Sequence, residues 1–166
     1  MTGEQRFKIR RFFKRLVRGA FYFVCGVAVL TAQAFFIYVE TPSRITLDLG
    51  GSLVEYIQDY TLQRHLHRDY VIDGACISAC TLITGEIPPE RVCITPYARL
   101  AFHAAFVVVE GQRVFAAEGT KLSWQIYPPA VRAMLQAKGW KDPDTDQPTL
   151  IWLDHDDLLK IYKPCT

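Results

Sequence analysis

Asp73-Gly74-Ala75-Cys76-Ile77-Ser78-Ala79-Cys80-Thr81-Leu82 decides how this chain is read. Just before it, Tyr70-Val71-Ile72 reads as a short strand. The small residues around Ser78 then predict a turn that opens a helix, with Gly85 as its stop. Downstream, Arg99-Leu100-Ala101-Phe102 reads as another strand and ends at His103. A serine hydroxyl is a poor nucleophile near neutral pH and needs a base within hydrogen-bond reach. Ser78 and His103 sit at the ends of two predicted strands and are candidates for that pair. The plainer reading is a serine that only caps a helix and a histidine that only packs.

Upstream, Ile45, Leu47 and Leu49 alternate with polar residues, a strand pattern that ends at Gly50-Gly51. Ser52-Leu53-Val54-Glu55 has the capping-box spacing, and Leu53, Tyr56, Ile57 and Tyr60 give the helix after it one apolar face to about Leu66. Val92 and Ile94 mark a short strand. Phe106–Val109 and Val114–Ala116 flank Glu110-Gly111-Gln112-Arg113 as a hairpin. Pro128-Pro129 start a helix with a Val131, Met134, Leu135 stripe that Gly139 closes. Residues 141–148 are polar and irregular, and Asp154 and Asp157 begin a last helix. Strands alternating with helices predict an α/β domain built from βαβ units.

The chain has 166 residues and a formal charge of +2, unevenly spread. Residues 1–18 hold seven bases and one acid, which leaves twelve bases and sixteen acids for the rest. No basic folded face remains for a nucleic-acid partner. Residues 19–39 are almost wholly apolar. A basic stretch before an apolar run reads as a membrane anchor or an export signal. The expected organisation is a cytoplasmic basic region (1–18), a signal or transmembrane segment (19–39) and a domain from 40 to 166 on the far side of the membrane. Ala32-Gln33-Ala34 supports the alternative of a cleaved signal, and Arg10-Arg11 resembles a twin-arginine motif.

Export changes the reading of Cys76, Cys80, Cys93 and Cys165, an even set that predicts disulfides in an oxidising compartment. Cys165 would pin the end of the chain to Cys93 or Cys76. Zinc held by Cys76, Cys80, Cys93 and His103 is the rival reading, and the three-residue gap between Cys76 and Cys80 suits it poorly. No phosphate-cradling glycine loop is present, and no cofactor is expected.

Three segments taken together, Leu49–Ser52, Gly74–Leu82 and Arg91–His103, resemble the Clp protease proteolytic subunit and its crotonase-fold relatives, above all exported Clp-like bacterial proteins. The likeness covers roughly Ile45 to Ala105. It implies that Ser78 is the nucleophile, that His103 is the general base, and that the Gly51 and Ala79 N–H groups stabilise an oxyanion. It also implies a peptide or acyl substrate and a homo-oligomer. The family's aspartate falls near Thr149 or Leu150 here, where no acid stands. Asp146, with Asp144 beside it, is the nearest candidate for a third member, and Asp154 reads as a helix cap. The alternative is a catalytically inactive Clp-like binding or scaffold protein.

Overall fold

The computed structural model describes residues 41–166, which form one compact unit. The expected basic and apolar segments, 1–18 and 19–39, lie outside the described residues. None of the described helices is long and apolar enough to cross a membrane.

The structure is mixed α/β. Strand β1 (Ser43–Asp48) leads through Gly50-Gly51 into helix α1 (Leu53–His65), which returns to β2 (Tyr70–Ile77). A 3₁₀ turn (Ser78–Leu82) and a short helix α2 (Ile83–Glu86) follow, then β3 (Val92–Ile94) and β4 (Arg99–Phe102). A hairpin of β5 (Phe106–Val109) and β6 (Gln112–Phe115) stands apart from the main sheet. Helices α3 (Ala117–Ile126) and α4 (Pro129–Ala137), strand β7 (Ile151–Leu153), helix α5 (His155–Leu158) and strand β8 (Lys163–Pro164) complete the chain.

The sheet turns about β2. Parallel β1 runs along one edge of β2, while the other edge pairs first with β3 (Ile72 beside Ile94) and then with β4 (Ile77 beside Ala101). That fork curls the sheet, with β8 added parallel to β3 and β7 antiparallel to β4. It also sets the ends of β2 and β4 side by side, so Ser78 and His103 leave the sheet at the same end.

Gly74 permits the curl. The β1–β2 register shifts between Ile45 and Leu47, and a Cβ at Gly74 would lie 1.8 Å from the Thr46 carbonyl oxygen. Backbone cannot yield as a flexible side chain does. Gly74→Ala is expected to lower stability by about 3 kcal/mol, measured by urea denaturation, at the upper end of ordinary overpacking costs.

The core fills the concave side. Ile72, Leu82, Ile83, Ile94, Leu100, Phe102, Leu135, Trp140, Leu153 and Leu158 are fully buried. Trp124 packs edge-on against Trp140 at 5.1 Å, and Arg99 lies over the Trp152 ring at 3.8 Å. Gly139, at φ +109, ends α4 as expected, and the Trp140 N–H returns to the Leu135 carbonyl.

Four local expectations need correction. Strand β2 runs through Ile77 instead of stopping at Ile72, because cross-strand partners override the weak strand propensity of Asp73-Gly74-Ala75. Gly85 lies inside α2 and caps nothing, and its missing side chain admits the Ile126 carbonyl. Ser52 holds the N-cap position of α1, yet its hydroxyl makes no cap bond. Asp154 likewise precedes α5 without a side-chain cap bond.

Candidate functional site

Ser78 is the first residue after β2, and its backbone is left-handed at φ +59. Among the described residues only His67 and Glu110 are the other non-glycines at positive φ. His67 closes α1, and Glu110 shares the hairpin turn with Gly111. Ser78 stands in no such turn. Its conformation points the chain sharply from strand to 3₁₀ turn, and a non-glycine residue persists there only where its surroundings hold it.

Those surroundings are visible. The Thr81 hydroxyl donates to the Ser78 carbonyl at 2.6 Å and shares a 2.9 Å hydrogen bond with the Tyr127 hydroxyl. Burial pushes the Tyr127 phenol up to about 12, so it remains a neutral hydrogen-bonding group. The Tyr60 hydroxyl donates to the Cys80 carbonyl at 3.0 Å, tying α1 to the turn. The Cys76–Cys80 disulfide brackets Ser78, and Cys93–Cys165 joins β3 to the chain end. These two bonds consume all three thiolates, Cys76, Cys80 and Cys93, that the zinc reading required.

Gly50-Gly51 crosses in front of the turn. The Gly50 N–H donates to the Asp48 carboxylate at 2.8 Å, and the same oxygen accepts from the Tyr56 hydroxyl at 2.5 Å. Asp48 is therefore the anchor of the glycine turn. The Gly51 N–H has no hydrogen-bond partner among the described residues. Gly50, at φ +79, lies so close that a Cβ there would meet Ser78 Cβ at 2.6 Å and the Ala79 nitrogen at 2.9 Å. Gly50→Ala is expected to cost about 2 kcal/mol in stability from left-handed strain and contact. Urea denaturation measures that loss.

His103 follows β4. Its Nδ1 lies 2.7 Å from the Ala104 carbonyl oxygen, and its ring tilts against Phe106 with centroids 5.6 Å apart. A carbonyl only accepts, so Nδ1 carries a proton, and Nε2 is the ring nitrogen left to take up or release one.

Asp146 does not touch His103. Both of its oxygens accept from Arg113 at 2.9 Å, and this pairing holds its carboxyl below the usual carboxylate range. Arg113 also donates to the Ala104 carbonyl at 3.3 Å. Asp146 thus makes no hydrogen bond to the histidine; the two interact through space and through Arg113, which donates to the Ala104 carbonyl that also faces Nδ1. Asp144 pairs with Lys121 at 2.8 Å.

Gly50, Gly51, Ser78, Ala79 and His103 all line one cavity of ≈ 660 Å³. The rest of its lining comes from residues such as Leu53, Val54, Ala105, Phe106 and Gly119, with no Asp, Glu, Lys or Arg. Ser123 and Tyr127 are its other polar side chains apart from Ser52. The predicted helix after Ser78 is a five-residue 3₁₀ turn, so local amides, and not a long helix dipole, are the donors available there.

Sequence reading missed Asp48, Thr81, Tyr127 and Arg113. An acid two residues before a double glycine is a weak turn signal, and the other three had none. The chain matches no protein-family model, and comparison with curated proteins gives no match.

Proposed function

We propose that the domain is a Clp-like, crotonase-related serine hydrolase that works outside the cytoplasm. The observation that carries this reading is the shared cavity, lined by Ser78 with its left-handed backbone, by His103 with its Nδ1 committed to a carbonyl, and by Gly51 and Ala79. Ser78 Oγ attacks a substrate carbonyl and passes its proton to His103 Nε2. The Gly51 and Ala79 N–H groups receive the oxyanion. The tetrahedral intermediate expels its leaving group, which takes the proton back from His103. Water, activated by the same ring, then releases the acyl group from Ser78.

The apolar, uncharged lining suits a peptide with an apolar side chain or another neutral acyl compound. The two disulfides support an oxidising compartment, in keeping with an inner-membrane protein anchored through residues 19–39 with its domain in the periplasm, or with a cleaved exported form. The family resemblance supports a homo-oligomer; light scattering of the purified protein is expected to give a multiple of the 18.9 kDa chain mass, and a monomer mass refutes it.

A fluorophosphonate probe tests the chemistry. Peptide mapping is expected to place the adduct on Ser78 and not on Ser52 or Ser123, which share the cavity. A second reading, a non-catalytic binding protein, draws on the separation of Asp146 from His103. An unlabelled Ser78 in folded protein would favour that reading.

A further inference from the structure

We infer that the Cys76–Cys80 disulfide is a positioning device that holds Ser78 in its left-handed conformation. The site is thereby competent only after oxidation. The inference rests on the hydrolase reading for its kinetic consequence, and on the turn geometry alone for its structural one.

The bond spans only four positions. Cross-links stabilise mainly by removing loop freedom from the unfolded chain, and so short a loop has little to remove. Its placement says more. Cys76 is a β2 residue paired with Leu100, and Cys80 lies in the 3₁₀ turn. The bond therefore joins β2 to the 3₁₀ turn that Ser78 opens, spanning the one residue whose left-handed backbone lies outside a chain reversal. The Tyr60 hydroxyl holds the Cys80 carbonyl, and the Thr81 hydroxyl holds the Ser78 carbonyl. These hydrogen bonds fix the far side of the turn, and the disulfide fixes its near side. Without the covalent link, Ser78 is free to relax to negative φ, which a non-glycine residue prefers. That rotation moves Oγ from its present place in the cavity that His103 also lines.

Formation is ordinary thiol–disulfide exchange. One thiolate attacks an incoming protein disulfide, and the second resolves the mixed disulfide, so the two cysteines lose two electrons and two protons and the donor leaves as a dithiol. Both sulfur-bearing residues are 0 % exposed, whereas Cys93 and Cys165 are partly exposed. A reductant therefore reaches Cys93–Cys165 first, which builds a control into the chain.

The test compares wild type with Cys76→Ala/Cys80→Ala. The expected result is a fluorophosphonate labelling rate at least 30-fold lower and a hydrolysis defect in kcat with KM little changed. A crystal structure of the variant is expected to show Ser78 at negative φ. In a second measurement, wild type is titrated with dithiothreitol, which takes up the sulfur bond and leaves as its cyclic disulfide. Free thiols are mapped by mass spectrometry at each step. Labelling is expected to persist while Cys93–Cys165 opens and to fall as Cys76–Cys80 opens. Labelling that survives Cys76–Cys80 reduction, or a variant with Ser78 still near its present φ, overturns the inference. If wild type itself is never labelled but Ser78 relaxes in the variant, the hydrolase reading fails and the positioning role stands.

Discussion

His103→Ala is expected to lower kcat for ester or peptide hydrolysis by about 10³–10⁴-fold, while Asp146→Asn lowers it by less than about tenfold. The asymmetry follows from who touches the ring. Removing the base leaves Ser78 with no acceptor for its proton, and only oxyanion stabilisation and substrate binding remain. In a Ser-His-Asp site the aspartate is nearly as costly to lose, because it fixes the histidine tautomer. Here that task falls to the Ala104 carbonyl, 2.7 Å from Nδ1. A backbone carbonyl cannot be mutated away, and it remains when Asp146 is neutralised. Asp146→Asn weakens the Arg113 pairing and removes a through-space attraction between exposed Asp146 and the ring, but it breaks no hydrogen bond to His103, and Arg113 keeps its bond to the same carbonyl. Steady-state kinetics on both variants, with circular dichroism to confirm folding, checks the pair. A loss above a hundredfold in Asp146→Asn would show a carboxylate-dependent triad and overturn the carbonyl-oriented dyad.

The proposed Ser78–His103 pair is only half legible in the sequence. Ser78, His103 and the double glycine are signalled by local pattern, since each sits where an apolar run meets small residues. The orienter is not, because any residue at position 104 supplies a carbonyl. What selects it is the path of the chain after β4, and that path depends on the Ala104 N–H reaching the Gln147 carbonyl and on Arg113 reaching across from the hairpin. Asp146 stands in the sequence close to where an orienting acid is expected, yet both of its oxygens turn to Arg113.

The fold shows the same division. Alternating Ile45, Leu47 and Leu49, the helix start at Pro129 and the stop at Gly139 were readable because backbone preference and final context agree. Helix α3 was not readable, since Gly119, Thr120 and Ser123 dilute its helical pattern and Ala116 offers no capping side chain. Strand β8, two residues ending in a proline, exists only because β3 offers a free edge and a disulfide delivers the chain to it. Even the hairpin, called correctly from its turn, hid that all four β5 residues remain exposed.

Cys93→Ala/Cys165→Ala is expected to destabilise the domain by about 4 kcal/mol, the loop-entropy value for a 72-residue separation. Domains of this size are stable by only about 5–15 kcal/mol, so the loss removes a large part of the total. The bond does what packing cannot at this edge. Strand β8 contributes two ladder pairs to β3, Cys93 with Lys163 and Ile94 with Pro164, and the Cys165 N–H adds one bond to the Ile94 carbonyl. Pro164 donates nothing to the ladder, so so short a strand has little hold of its own. Unlinked, it is expected to fray, and the Tyr162 and Leu158 side chains buried beside it lose their cover. The short Cys76–Cys80 loop, by contrast, is worth roughly 2 kcal/mol on the same entropic scale. Urea denaturation of the two double variants checks the ranking: the Cys93/Cys165 pair is expected to lose more stability and keep its Ser78 reactivity per folded molecule, and the Cys76/Cys80 pair the reverse. Equal stability losses would show that the long loop is already constrained in the unfolded chain, and the entropic account of Cys93–Cys165 would fall.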